Sequence, residues 1–190
     1  MSSATIFGKG AMGSAIETIL TAGGTEVERV DTSTTNVIVN GDIVILAVPY
    51  AAHDQIVADY SAQFVGKIVV DISNPMNFET FQLAVPADSS AAAELASKLP
   101  GATVLKAFNT NFAASLVART VGANHVAVLV AGDDGDAKAA LTSAITAGGI
   151  DVIDAGALTA ARELEAVGFL QLQLAIGQQI GFTGGFSLTK

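Results

Sequence analysis

The chain has 190 residues, 51% of them apolar and 14% charged, with 9 basic against 18 acidic side chains and a net charge of −9. That length suffices for a domain with a full core, and a charged fraction below the roughly 25% usual for soluble domains turns much of the chain toward protein rather than water. The acidic balance excludes a sequence-independent grip on nucleic acid, which needs clustered Lys and Arg, and disfavours an anionic membrane surface.

The elements follow in chain order. Thr5–Gly8 is a short apolar run of the kind found in strands covered on both faces. The next segment places Met12, Ile16, Ile19 and Leu20 on one helical face. Val27–Val30 predicts a second strand and Ile43–Val48 a third. The segment Asp31–Gly41 between them is shorter than the dozen residues of a helical crossover, so it holds one helical turn or none. Ile56, Val57, Tyr60 and Phe64 share a helical face, with His53 on an exposed turn before them, and Lys67–Ile72 predicts a fourth strand. Ser89 or Ser90 caps a helix that runs to Leu99 and stops at Pro100-Gly101. Thr103–Phe108 and Val126–Ala131 are further strands. Asp133 and Asp134 open a helix through Ala147, ended by Gly148-Gly149, and Val152–Ile153 is a last short strand. Thr159–Phe182 reads as one long helix, apolar on most sides from Val167 onward, hence buried across the sheet edge or in a dimer contact. The alternation predicts an α/β fold with a doubly wound, mostly parallel sheet. It is expected as a single domain over 1–190, with the C-terminal helix and tail (157–190) packing on it or on a second subunit.

The first strand runs straight into Gly8-Lys9-Gly10-Ala11-Met12-Gly13, and a helix follows at once. Between a strand and a helix, G-x-G-x-x-G is the dinucleotide-binding fingerprint of a Rossmann NAD(P)-binding fold. Gly8 permits the tight turn, Gly10 lets a pyrophosphate approach the backbone, and Gly13 lets the helix lie against the strand. The first-turn amides and the helix dipole then face the phosphates. A nucleoside-triphosphate loop would need G-x-x-x-x-G-K-[ST], which is not present. An adenosylmethionine loop would carry an acidic residue before Gly8, where Thr5-Ile6-Phe7 offers none. Asp31, eighteen residues after Gly13, suits the ribose hydroxyls of NAD and repels a 2′-phosphate. Lys9 and the hydroxyls of Thr32 and Ser33 weigh the other way.

With no cysteine in the chain, disulfides, thiolate metal sites and cysteine nucleophiles drop out. His53 and His125 are too distant in sequence for a short-spaced metal motif, so no metal is expected. The longest apolar run near the middle, Ile43–Ala52, contains a proline and is about half of a ~20-residue membrane span. The first residues lack the basic-then-apolar pattern of a secretion signal, and a cytoplasmic protein is expected.

Further fragments end the predicted strands: Ala47-Val48-Pro49-Tyr50, Asp71-Ile72-Ser73-Asn74-Pro75 and Lys106-Ala107-Phe108-Asn109-Thr110. Ala161-Arg162-Glu163-Leu164-Glu165 opens the last helix. Together with the glycine loop these fragments resemble the NADP-dependent oxidoreductases typified by the enzyme that reduces the deazaflavin coenzyme F420, and the cytosolic domain of the STEAP-type metalloreductases is similar. The resemblance spans nearly the whole chain. It implies a Rossmann domain binding NADPH, with the adenosine phosphate near Lys9, Thr32 and Ser33 and the pyrophosphate at Gly10, Ala11 and Met12. The nicotinamide half would meet Ala47–Tyr50, Asn74-Pro75 and Ala107, Phe108 and Asn109. Where the family carries Ser-Arg after the second strand, this chain has Thr32-Ser33 following Asp31, with no arginine there to clamp a 2′-phosphate. Lys9 can supply one cation in its place, so NADP(H) is the favoured cofactor and NAD(H) the alternative.

Asn74 and Asn109 can serve a carboxamide or ribose, or simply cap strand ends. Lys106 is a ligand contact or an ion-pair partner, and Arg162 pairs with Glu163 or Glu165. Hydride transfer to a flavin or deazaflavin needs two rings in contact and no proton-relay side chain. A carbonyl reductase would want a Tyr-Lys pair or a placed His, and Tyr50 and Tyr60 have no lysine at helical spacing. The expectation is an oxidoreductase passing hydride between NADP(H) and a small-molecule ring acceptor, with no catalytic side chain, working as a homodimer. A non-catalytic dinucleotide-binding redox sensor is the alternative.

Overall fold

The structure is a computed structural model and describes residues 2–31, 37–77 and 79–188. In chain order its elements are β1 (Ser3–Phe7), α1 (Ala11–Ala22), β2 (Glu26–Val30), β3 (Ile43–Leu46), α2 (His53–Tyr60), β4 (Ile68–Asp71), β5 (Met76–Asn77) and β6 (Gln82–Leu83). They continue with α3 (Ala91–Lys98), β7 (Thr103–Ala107), α4 (Ala113–Ala118), β8 (Thr120–Val121), β9 (Asn124–His125), β10 (Ala127–Ala131), α5 (Gly135–Ala147), β11 (Asp151–Gly156) and α6 (Ala161–Ile176). Ser90 caps α3 by accepting from the Ala93 amide, and Asp134 caps α5 by accepting from Ala137, the two side-chain caps expected from the sequence.

Seven strands form one sheet in the order β11-β10-β7-β4-β3-β1-β2. β2, β1, β3, β4 and β7 run parallel. β10 is antiparallel to β7, and β11 lies parallel to β10. The chain leaves β1 for β2 on one side and returns to β3 on the other, so the strand order reverses between β1 and β3. In an open α/β sheet a ligand crevice forms at that reversal, beyond the carboxyl ends of the strands. Residues 37–42 between β2 and β3 carry no helix, and 32–36 lie outside the described residues.

Because alternate strand residues point to opposite faces, the sheet has two cores. Ile6 and Ile45 pack with Ile16 and Leu20 of α1 and Leu141 and Ile145 of α5. Phe7 and Leu46 pack with Tyr60, Phe64 and Leu95, and the Phe7 ring meets Tyr60 edge-on at 5.0 Å and Phe64 at 5.8 Å. Burying side chains of this size contributes about 1.5–3 kcal/mol each. That is why the strand sequences are nearly unbroken apolar runs.

The C-terminal helix corrects the sequence reading. It spans Ala161–Ile176 after a short 3-10 turn at Leu158–Ala160, and Gly177 ends it well before Phe182. Its inward face is also not the apolar one. Glu165, Gly168 and Gln171 are buried beside Leu164 and Ala175, while Val167, Leu170 and Ile176 stand exposed. Hydrogen bonds hold the inward face: Gln171 Nε2 donates to the Thr110 carbonyl at 3.0 Å, and the Phe186 amide donates to Gln171 Oε1 at 2.9 Å. Among the described residues no helix is long and apolar enough to cross a membrane.

Candidate functional site

β1 delivers the chain into the glycine loop under tight constraint. The Gly8 amide donates to the Val30 carbonyl of β2, and the Ala47 amide beside β3 donates to the Phe7 carbonyl, each at 2.9 Å. Gly8 takes φ 104°, and a side chain there would overlap the Ala47 carbonyl oxygen, so only glycine fits. A methyl at Gly13 would stand 2.8 Å from the Gly8 carbonyl oxygen and 2.9 Å from Arg29 Nη2, whereas one at Gly10 would meet nothing within 4 Å. Gly8 and Gly13 therefore shape the loop, and Gly10 leaves open space above it. Gly10 is also the N-cap of α1, with no side-chain cap bond and no acidic residue in the first turn. The first-turn amides keep their donors for an anion, with the helix dipole behind them.

Arg29, which sequence reasoning passed over, braces this loop from β2. Its Nε and Nη2 donate to the Gly8 carbonyl at 3.0 and 2.5 Å, and Nη1 reaches Ser14 Oγ at 3.3 Å and Glu17 Oε2 at 2.8 Å. The available signal was its place two residues before Asp31, on the same face of the strand. Lys9 Nζ lies 3.2 Å from Asp31 Oδ2, both partly exposed. The structure thus joins two residues that the sequence set against each other over the cofactor's phosphate. Thr32 and Ser33 lie outside the described residues.

The other predicted residues converge at the ends of β3, β4 and β7. Ala47–Tyr50 leave β3, and the Tyr50 hydroxyl donates to Glu94 Oε2 at 2.5 Å. Burial and then Glu94 push the Tyr50 phenol well above its ordinary range, which keeps it protonated. Pro75 leads into the β5–β6 hairpin through its carbonyl, which accepts from the Ala84 amide at 2.6 Å. Asn74 Nδ2 donates to the Asn109 carbonyl, and Asn109 Nδ2 donates to Asn74 Oδ1 and to the Leu164 carbonyl, all at 2.8 Å. Helix α6 closes over this pair at Gly168, where a methyl would come within 2.5 Å of Asn74 Oδ1. Phe108, fully buried, holds a left-handed backbone at φ 62°. Such a conformation costs a non-glycine residue about 1–3 kcal/mol, and here it turns the chain at the end of β7 so that Asn109 faces Asn74.

Beneath these loops lies a buried charged cluster. Lys106 Nζ donates to Asp71 Oδ2 at 2.8 Å, to the Ser73 carbonyl at 2.5 Å and to Glu165 Oε1 at 2.7 Å. Glu165 also accepts from the Ala91 amide at 3.0 Å and the Ala92 amide at 3.4 Å, at the start of α3. All three side chains are at most 1% exposed. Lys106 is therefore an ion-pair partner, and Arg162 pairs with Glu163, not Glu165. His53, expected on an exposed turn, is 3% exposed because the start of α2 folds it onto Asp71, its Nε2 3.6 Å from Oδ1. Burial pushes His53 below its ordinary value. Burial alone would raise Asp71, but Lys106 and His53 outweigh it and hold that carboxyl low. At Glu165 burial prevails over Lys106 and the value rises. Asp71 and Lys106 were each legible as a charge inside an apolar run. Only the β4–β7 register, which sets them side by side, shows them as a pair.

Several buried polar atoms at these strand ends have no hydrogen-bond partner among the described residues: both His53 ring nitrogens, Ser73 Oγ and Asn109 Oδ1. Buried polar atoms are nearly always paired, so a cluster of unmet ones beside a crevice fits a polar ligand. Between residues 83–89 and the first turn of α6 lies a cavity of about 340 Å³, lined by Leu83, Val85, Pro86, Arg162 and Glu165 among others. No group of three or more His, Cys, Asp or Glu that could hold a metal occurs among the described residues.

Comparison with known proteins agrees with this geometry. Residues 28–75 match the family model described as NADP oxidoreductase, coenzyme F420-dependent. The chain is 37% identical over 124 residues to the metalloreductase STEAP3 of Rattus norvegicus, which covers 65% of this chain and 24% of that protein. A solved structure from Arthrobacter sp. FB24, described as a candidate F420-dependent NADP-reductase, superposes with a TM-score of 0.86 at 22% identity, covering 98% of this chain and 99% of the other. A hypothetical protein from Sinorhizobium meliloti gives a TM-score of 0.71 at 29% identity over 85% of this chain and 88% of its own. The fold is Rossmann-like, and the resemblance read from the motifs is borne out.

Proposed function

We propose that this chain, whose residues 28–75 match the F420-dependent NADP oxidoreductase family model, is an NADP(H)-binding oxidoreductase serving a flavin, deazaflavin or similar ring acceptor. The observation that carries the reading is the open face at Gly10, where first-turn amides of α1 stand uncapped at the strand-order reversal. The STEAP3 relative is named a metalloreductase, and the chain spans 24% of its length. When bound, the reduced nicotinamide supplies a hydride to the acceptor ring, which takes its balancing proton from water.

The chain's residues divide the work of holding that cofactor. Gly10, Ala11 and Met12 receive the pyrophosphate on backbone amides, with Gly8 and Gly13 shaping the bend. Lys9 and Asp31 flank the adenosine ribose. Ala47, Val48, Pro49 and Tyr50 with Asn74, Pro75, Ala107, Phe108 and Asn109 orient the nicotinamide half, and the unmet oxygens of Ser73 and Asn109 accept from its amide or ribose. The cavity beside the Leu83 hairpin and Arg162 is the space we assign to the acceptor. A second copy of the chain packing on the outer face of α6 completes a cytoplasmic homodimer.

Turnover tests the reading. Purified protein and NADPH, offered flavin, deazaflavin, quinone and ferric chelate in turn, should lose the near-ultraviolet absorbance of the reduced coenzyme with at least one acceptor. Tight NADPH binding with no turnover across the panel would turn the reading into a redox sensor. Absence of calorimetric heat with either coenzyme would end it.

A further inference from the structure

The cluster beneath the strand ends holds two carboxylates, Asp71 and Glu165, against one ammonium, Lys106, all three buried. Burying unequal charge is expensive, and such clusters stabilise a fold less well than apolar packing of the same volume. This one lies directly under the nicotinamide-facing segments. Asp71 and Lys106 end β4 and β7 in register, and Lys106 donates to the carbonyl of Ser73, the residue before Asn74. Asp71 Oδ1 accepts from the Ser73 amide at 2.8 Å, so carboxylate and ammonium grip the two peptide groups that flank Ser73. With His53 neutral and both carboxylates ionised, the cluster carries one net negative charge.

We propose that this unbalanced charge acts electrostatically on the cofactor, favouring the positively charged oxidised nicotinamide over the neutral reduced one and so making the bound reduced form a better hydride donor. The inference rests on the dinucleotide reading above and adds to it a role for Asp71, Lys106 and Glu165 as positioning residues, Asp71 and Lys106 beneath the nicotinamide-facing segments and Glu165 at the wall of the acceptor cavity. In a site closed from water, fixed charge aimed where charge develops is an effective form of transition-state stabilisation. One unit charge about 12 Å away at an effective dielectric near 20 changes a binding constant by roughly tenfold.

The test compares dissociation constants of NADP+ and NADPH by calorimetry in the unmutated protein and in Glu165→Gln. The variant keeps an oxygen to accept from Lys106 and removes the net charge. The ratio of the NADP+ constant to the NADPH constant should rise about tenfold in the variant, a change that a merely structural role would not produce, since loosening the loops weakens both forms alike. Both forms binding with an unchanged ratio would overturn the inference and leave the dinucleotide reading intact. Neither form binding to the unmutated protein would overturn that reading itself.

A second measurement needs no variant. His53 is faced by Asp71 from β4, Lys106 from β7, Lys98 from α3, and Asp54 and Tyr50 from its own segment. Its protonation, like that of Glu165, would cancel the net charge. As the pH falls, the same ratio should rise with the midpoint of the His53 ring resonances, which only those of His125 accompany in the spectrum. A ratio that stays flat through that midpoint would also overturn the inference.

Discussion

Lys9 Nζ and Asp31 Oδ2 meet at 3.2 Å across the mouth of the glycine loop, so the cation proposed to receive a 2′-phosphate is paired with the carboxylate proposed to repel one. Both are partly exposed, and pairs of this kind contribute little to stability. Their effect falls on selectivity. Asp31→Asn should leave Lys9 to the phosphate and raise the preference for NADPH over NADH by about three- to tenfold, and Lys9→Ala should shift it the other way by a similar factor. Titrating both coenzymes into each variant measures the ratio, and no change in either variant would place the adenosine end elsewhere.

The three loop glycines should separate cleanly on substitution. Gly10 has open space around it, so Gly10→Val should melt within a few degrees of the unmutated protein yet lose both coenzymes. Gly8→Ala faces both a positive φ and the Ala47 carbonyl, and should cost several kcal/mol of stability before binding is even tested. Gly13→Ala pushes on the Gly8 carbonyl and Arg29, so its loss should be shared between stability and affinity. Thermal melts run beside calorimetry discriminate the three patterns, and retained binding in Gly10→Val would remove the pyrophosphate from this loop.

Stability should fall on mild acidification because of His53. Burial holds its folded pKa below the ordinary 6.5, so below pH 6.5 the unfolded chain takes up a proton that the folded chain refuses. Stability then drops, by at most about 1.4 kcal/mol per pH unit, until the folded value is reached. Asp71, held below its ordinary 3.8, adds a second loss at still lower pH. Glu165, raised above 4.5, has the opposite slope, since protonation there relieves a burial cost. Melting temperature between about pH 7 and 5 should therefore decline in the unmutated protein and flatten or reverse in His53→Gln. An equal decline in both would assign the acid sensitivity to another group.

The glycine loop, the strands marked by short apolar runs, and the Ser90 and Asp134 caps were legible because each depends on neighbours in sequence. The Lys106–Asp71–Glu165 cluster was not, since its members come from two strands and a helix far apart in the chain. A lysine among Val104, Leu105, Ala107 and Phe108 announces a buried charge without naming its partner. His53 was misplaced for the same reason: a helix start reads as exposed until the strand end that covers it is known. The last helix misled because periodicity was replaced by an apolar run on nearly all sides. Which side turned inward was decided by hydrogen bonds from Asn109 and Gln171 that leave no sequence pattern.

That inversion of the last helix yields the strongest prediction about assembly. Exposed Val167, Leu170 and Ile176 are joined by exposed Phe182, Phe186 and Leu188 of the tail, and residues 167–188 contain no Asp, Glu, Lys or Arg. In a chain of net charge −9, a charge-free apolar face is where two copies approach without like-charge repulsion, and contiguous exposed apolar area of this kind marks a contact surface. Leu170→Glu together with Val167→Glu should leave the fold within about 0.5 kcal/mol, as for other surface substitutions, because both side chains are exposed. In analytical ultracentrifugation the unmutated protein should sediment at twice the chain mass and the double variant at the single-chain mass. An unmutated protein that sediments as a monomer at every concentration tested would leave the outer face of α6 without its second copy.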